Sequence, residues 1–332
     1  MEKQTLHPGP IYPDHISIDS VNNFINKINQ DYINDFILKI SNEFITRYAD
    51  SDSGKRVPQF LINLIKKMPN PGNIQIEYQL SNIPDWKQDN LIIRIPGELK
   101  SDTNKVIIGA HIDTIVRWDR DMPNPGVDDD ASGVATWLSI LKTILANNIR
   151  FKRTIEFHGY GAEELGLIGS QELAKTYYNN QEKIAAMLQL DMVLYSEQEN
   201  DTTIHLVSNY TSPTLRRSLK NIMHSYLDAK YTEKPLKWGS SDHVSWYNRN
   251  FPAVFPFENP DAYNKKIHTP EDNLENANNI NLAGKFAKLS AAFLSHYAGQ
   301  TGIEEAQLNY DYSDDIKLAI YKNPTYNSWN II

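Results

Sequence analysis

An α/β protein with a central sheet covered by helices on both faces is the fold class this sequence predicts. Three observations point to it. Residues 106–110, VIIGA, are short and wholly apolar, as in a central strand buried on both sides. From there to residue 297 strand-like and helix-like periodicities alternate. No internal repeat or low-complexity linker interrupts them, so one domain is the economical reading of 332 residues with 40% hydrophobic content. The net charge of -8 and the absence of basic clusters beyond pairs such as Lys66-Lys67 and Arg216-Arg217 argue against a nucleic-acid partner. No apolar run approaches 18 residues, so no membrane partner is expected, and the first eleven residues lack the pattern of a signal peptide. With no cysteine, His, Asp and Glu are the available metal ligands.

Taken in order, residues 1–17 hold Pro8, Pro10 and Pro13 without apolar periodicity and read as an extended arm. Apolar residues spaced by three and four between Val21 and Ile45 predict two helices, residues 50–55 a polar break, and residues 57–68 a third helix. The period then changes. Residues 74–78 alternate as a strand does, 91–95 form a β-branched run, and 106–110 form the central strand with His111 just past its end. Beyond these the pattern predicts helices at 133–145, 169–178, 215–227 and 280–297, with strands at 154–160, 185–190, 203–207 and 253–255. A polar tail with Tyr310, Tyr312, Tyr321 and Tyr326 follows residue 300.

The chemistry gathers at strand ends, where ligands bind in open α/β sheets. His111 and Asp113 follow the strand at 106–110, Glu163 and Glu164 follow 154–160, and Asp191 follows 185–190. The run Asp128-Asp129-Asp130 precedes a helix at the same edge, and His268 sits in a loop between Pro260 and Pro270. Each has a bland reading: a solvated helix-capping turn for the acids, a satisfied structural residue for a lone histidine. Together they fit a zinc-type site of nitrogen and oxygen donors, and the number of carboxylates suits two ions sharing one of them. Calcium would leave both histidines idle. Residues two apart at a strand end face the same way, so Asp113 can orient the His111 ring, and Glu163, beside a ligand, is placed to act as general base.

The strings HIDT, PGVDDDASGVA, AEELGLIGSQELA, LQLDM, SSDHVSW, PFEN and KIHTPEDNLEN, in this order, resemble the dizinc leucyl aminopeptidases secreted by bacteria, in the co-catalytic zinc exopeptidase clan. The resemblance spans about residues 18–300 and implies a single three-layer α/β/α domain with a mixed, mostly parallel sheet. It implies two zinc ions, with Co or Mn as substitutes. Asp129 would bridge them, with His111 and Asp191 on one ion and Glu164 and His268 on the other. Glu163 matches the general base and Asp113 the partner of His111. It further implies a non-proline cis bond after Asp129, and a side-chain pocket of Met192, Phe257, Tyr263 and Ile267 that favours Leu and other large hydrophobic residues. The implied activity is removal of the N-terminal residue from peptides and proteins, by a monomer outside the cell whose signal peptide is absent from this chain. Two features depart from the family: Leu236 and Ser240 stand where relatives carry a disulfide, and Trp238 replaces a tyrosine thought to support the oxyanion.

Two rivals share this scaffold: a single-zinc glutaminyl cyclase, and a binding module that has lost its ligands. The D-D-D-A-S-G string argues for the peptidase over the cyclase, and the presence of every ligand and Glu163 argues against a dead enzyme. Ser241-Asp242-His243 reads as a structural turn, since adjacent residues cannot form a hydrolase triad.

Overall fold

In a computed structural model, residues 17–301 are described apart from 121 and 199, together with the backbone of 321–322 and 329–330. The predicted arm at 1–17 and tail at 301–332 lie almost wholly outside these residues. The chain divides into two units that part after residue 302.

Three helices open the first unit: α1 (Ile18–Asn26), α2 (Asp31–Glu43) and α3 (Asp52–Lys66). The third begins earlier than predicted. Ser51 caps it by accepting the Gly54 N–H at 2.8 Å, so the small polar run becomes a first turn rather than a break. Pro58 lies inside this helix and has no N–H to give the Gly54 carbonyl, which accepts instead from the buried Gln88 side chain at 3.0 Å.

Strand β1 (Glu77–Ser81) starts three residues later than the alternation at 74–78 predicts. The Asn70 side chain bonds both the N–H and the carbonyl of Ile74 at 2.9 Å, which withdraws that residue from any ladder. Then come β2 (Asn90–Ile95), β3 (Lys105–His111), α4 (Ser132–Ala146), β4 (Arg150–Phe151), β5 (Thr154–Tyr160), α5 (Ile168–Asn179) and β6 (Ile184–Gln189). His111 is the last residue of β3 rather than the first beyond it, because the parallel register with β5 runs on to Tyr160. The chain continues through β7 (Ile204–Val207), α6 (Pro213–Ile222), β8 (Tyr231–Lys234), α7 (His243–Tyr247), β9 (Ala253–Val254), β10 (Pro256–Phe257), α8 (Ile280–Leu294) and β11 (Gln300–Thr301). The predicted helix at 215–227 gives way after α6 to a wider turn at 223–227, and the one at 280–297 does so after α8 at 295–299; they stop at Asp228 (φ 42°) and Gly299 (φ 68°). Of the predicted strand at 253–255, residues 253–254 form β9 in the main sheet, while β10 at 256–257 pairs in a separate one. In the second unit, residues 321–322 and 329–330 pair as antiparallel strands β12 and β13.

The main sheet runs β1-β2-β5-β3-β6-β9. Its β1/β2 and β2/β5 pairs are antiparallel, while β5/β3, β3/β6 and β6/β9 are parallel. Val106, Ile108 and Ala110 of β3 join a large core with α1, α2, α4 and α8, while Ile107 points to a second core with α5 and Trp246. This two-sided burial is why the central strands are apolar at every position rather than at alternate ones. Gly109 is held by a close approach, since a Cβ there would lie 2.5 Å from the Tyr160 ring. The chain leaves β3 for β5 on one side and reaches β6 on the other, so the carboxyl ends of these three strands flank a topological switch point. No helix among the described residues is long and apolar enough to cross a membrane.

Two buried histidines outside the predicted ligand set make the fold sensitive to acid. Burial depresses His243 to about 3 and His296 to about 4, so both stay neutral when folded. Unfolded, they would titrate near the ordinary value of about 6.5. As pH falls below that value, the unfolded chain binds protons the native state refuses, and stability present above about 6.5 drains away toward pH 3–4, at up to about 1.4 kcal/mol per unit for each group. Urea unfolding midpoints should therefore fall below pH 6.5, and His296→Gln should make the decline shallower; an unchanged slope would remove His296 from this account.

Candidate metal centre

The site is assembled where β3, β5 and β6 end, and its core is the turn at 127–131. Gly126 enters this turn in the left-handed region (φ 51°), and the Asp129–Asp130 peptide is cis. Three acids in sequence face three ways. Asp128 Oδ1 accepts the Leu194 N–H at 3.0 Å. Asp130 accepts the N–H of His111 at 3.1 Å through Oδ2 and that of Gly133 at 2.9 Å through Oδ1. Both are fully buried, and burial lifts both well above the usual carboxylate range. Asp129 stands apart: its Oδ1 lies 2.9 Å from His111 Nε2 and its Oδ2 3.1 Å from His268 Nε2. Burial opposes its ionisation, but the two histidines outweigh burial and hold its carboxyl far below the usual range.

The remaining predicted ligands converge on the same point. Asp191 Oδ1 is 3.7 Å from His111 Nε2, and Glu164 Oε2 is 2.8 Å from His268 Nε2. Two trios result, His111–Asp129–Asp191 and Asp129–Glu164–His268, and in each the donor atoms lie within 4.8 Å of one another. They share Asp129. Burial alone would depress His111, yet Glu163, Asp113, Asp129 and Asp191 raise it well above its ordinary value. His268 is raised to about 10 against the effect of burial by Asp129 and Glu164, and burial with the charge of Asp129 raises Glu164 to about 8. The buried oxygens Asp191 Oδ1 and Glu164 Oε1 accept no hydrogen bond. Orphaned carboxylate oxygens beside imidazole nitrogens are what divalent ions of the zinc type satisfy, so the donor set fits such a metal.

Asp113 lies behind this set, with Oδ1 3.4 Å from His111 Nδ1. Its two oxygens also accept the N–H groups of Glu163 at 3.0 Å and Glu164 at 3.1 Å, so one buried carboxylate holds both the strand β3 and β5 sides of the site. Glu163 is nine-tenths buried, and burial raises its carboxyl well above the usual range. Ala162, Met192 and His268 all take left-handed backbone conformations (φ 53°, 59° and 58°), which disfavour residues other than glycine and concentrate at functional sites.

Several supports were invisible to sequence periodicity. Arg47, from the loop after α2, is buried, and its guanidinium donates to the carbonyls of Ile112 at 3.2 Å, Pro125 at 2.5 Å and Gly126 at 2.9 Å. Asp272 accepts the N–H groups of Asp128 at 3.0 Å and Asp129 at 3.1 Å, fixing the turn from the other side. Asp272 falls in the quoted string KIHTPEDNLEN, but nothing in its spacing reveals this role. Ser241 and Asp242 open α7 through carbonyls that accept from Val244 and Ser245, as in a turn, and among the described hydrogen bonds none joins either residue to His243.

A cavity of about 610 Å³ opens onto the two trios. Met192, Trp238, Phe257, Tyr263 and Ile267 all line it. Met192 and Phe257 pack with Val207 and Phe255 into a small apolar cluster that Leu236, Tyr263 and Ile267 extend. Trp238 is 75% exposed.

Known proteins place this arrangement in context. The chain is 34% identical over 241 residues to leucine aminopeptidase 1 of Pyrenophora tritici-repentis, a match covering 69% of this chain and 61% of that relative. Its structure resembles the LapA aminopeptidase of Legionella pneumophila with a TM-score of 0.80 and 29% identity, covering 88% of this chain and 78% of the other. A glutaminyl cyclase from an Acidobacteriales bacterium shares the fold, with a TM-score of 0.65 and 19% identity over 80% of this chain and 94% of the other. Residues 90–294, more than half of the sequence, match the model of Peptidase family M28, and the chain belongs to that family.

Proposed function

We propose that the protein is a metallo-aminopeptidase that binds two zinc ions and releases the N-terminal residue of peptides, favouring Leu and other large hydrophobic side chains. The observation that carries this reading is the pair of donor trios sharing Asp129, with Glu163 beside them at the head of a cavity that has an apolar cluster in its wall. His111 and Asp191 would hold one ion, Glu164 and His268 the other, and Asp129 both. When bound, the ions would supply Lewis-acid polarisation of the scissile carbonyl and acidify the attacking water.

The chain's own residues set the rest. Glu163 takes the proton of the attacking water and passes it to the departing amine. Asp113 keeps the Glu163–Glu164 backbone and the His111 ring in register. The free α-amino group of a substrate would settle beside the second trio, near the carboxylates of the site. An internal peptide bond brings no such group, which favours cutting at the amino terminus. Met192, Phe257 and Ile267 would bury the first side chain, and an apolar lining of this kind rewards size more than polarity.

Metal analysis combined with a panel of aminoacyl 4-nitroanilides tests the reading. About two zincs per chain and fastest release from the Leu substrate are expected. Activity in metal-free protein would refute it, as would cyclisation of glutaminyl peptides without hydrolysis, which would favour the cyclase chemistry found elsewhere on this fold.

A further inference from the structure

We propose that the mouth of the cavity is a carboxylate subsite, in which Arg117 and Lys265 receive a carboxylate carried by the substrate one or two residues beyond the bond that is cut. The inference rests on the aminopeptidase reading and adds a substrate class to it: short peptides with a free C-terminus, or peptides acidic just past the first bond.

The charge layout of the cavity carries it. Apart from the candidate ligands and Glu163, the charged side chains lining it among the described residues are Arg117 and Lys265, both cations on a chain of net charge -8. Both are exposed, and neither forms an ion pair with an acid among the described residues. Lys265 lies over the Tyr263 ring, with its ammonium 3.0 Å from the centroid, which holds it at the pocket wall. The acids lie at the ligand end, where two bound divalent ions would largely offset their charge, so the charge left unbalanced in the cavity is the positive charge of Arg117 and Lys265.

Arg117 stands close to the ligand end of the cavity. Its Nε lies 3.1 Å from His268 Nδ1, one side chain away from Glu164. A residue of extended chain spans about 3.3–3.6 Å, so a carboxylate one or two residues past the scissile bond falls within reach of a guanidinium there.

The experiment uses the zinc-loaded full chain and two substrate pairs: Leu-Gly against Leu-Gly-amide, and Leu-Asp-amide against Leu-Asn-amide. We expect kcat/KM to favour the carboxylate member of at least one pair by about fivefold, the size of a partly exposed ion pair. The first pair reports a C-terminal carboxylate and the second an acidic side chain. The same ratio should appear in calorimetric Kd values with zinc-loaded Glu163→Gln, which holds peptide uncut. It should fall to within twofold of unity in Arg117→Gln/Lys265→Gln and survive in Arg117→Lys/Lys265→Arg. Ratios near unity in an active wild type, or a preference that persists in the double Gln variant, would overturn the subsite alone. No hydrolysis of leucine 4-nitroanilide or of any peptide would overturn the aminopeptidase reading, and the subsite with it.

Discussion

Glu163→Gln is expected to lower turnover of leucine 4-nitroanilide about a thousandfold while zinc content stays at the wild-type level. The substitution keeps the size of the side chain and leaves the backbone N–H of residue 163 on Asp113 Oδ1. It removes only the capacity to accept and return a proton. Burial already works against ionisation of this carboxyl and so raises its affinity for a proton, the property the proposed role asks of it. Steady-state kinetics on protein of measured zinc content decide the matter: near-normal kcat at full occupancy would require another base, and loss of zinc would make Glu163 a ligand instead.

Asp129→Ala should have the opposite profile. Its two oxygens lie against different histidines, so its removal takes one donor from each trio at once. Zinc content should fall from about two per chain to below one, and activity by at least about a thousandfold. The turn itself should hold, because Asp272 binds the backbone N–H of residue 129 rather than its side chain. Elemental analysis and circular dichroism of the variant separate these effects. Retention of both ions with a native spectrum would show that Asp129 bridges nothing.

How much of this could be read in advance depended on which forces were local. Strands 106–110 and 154–160 and the helix at 133–145 were legible because two-sided burial writes itself as unbroken apolar runs. The site residues were legible because they follow strand ends, and the motif strings gave their order. What escaped was decided by single polar contacts between distant segments. Asn70 took Ile74 out of the sheet, Ser51 turned a polar break into a helix, and Gln88 repaired the carbonyl left by Pro58. Glu156 is another case. It is buried in β5 between Arg94 at 2.7 Å and the Tyr177 hydroxyl at 2.6 Å, partners that lie far away in sequence.

Arg47 bears on where the working unit begins. The family match opens at residue 90, yet the guanidinium that gathers the carbonyls of residues 112, 125 and 126 comes from the loop between α2 and α3, well upstream. The N-terminal segment is thus more than a cover for the apolar sheet. It supplies a clamp on the very loop that presents Asp129, so a fragment trimmed to the matched segment would keep every candidate ligand and lose the part that aims one of them.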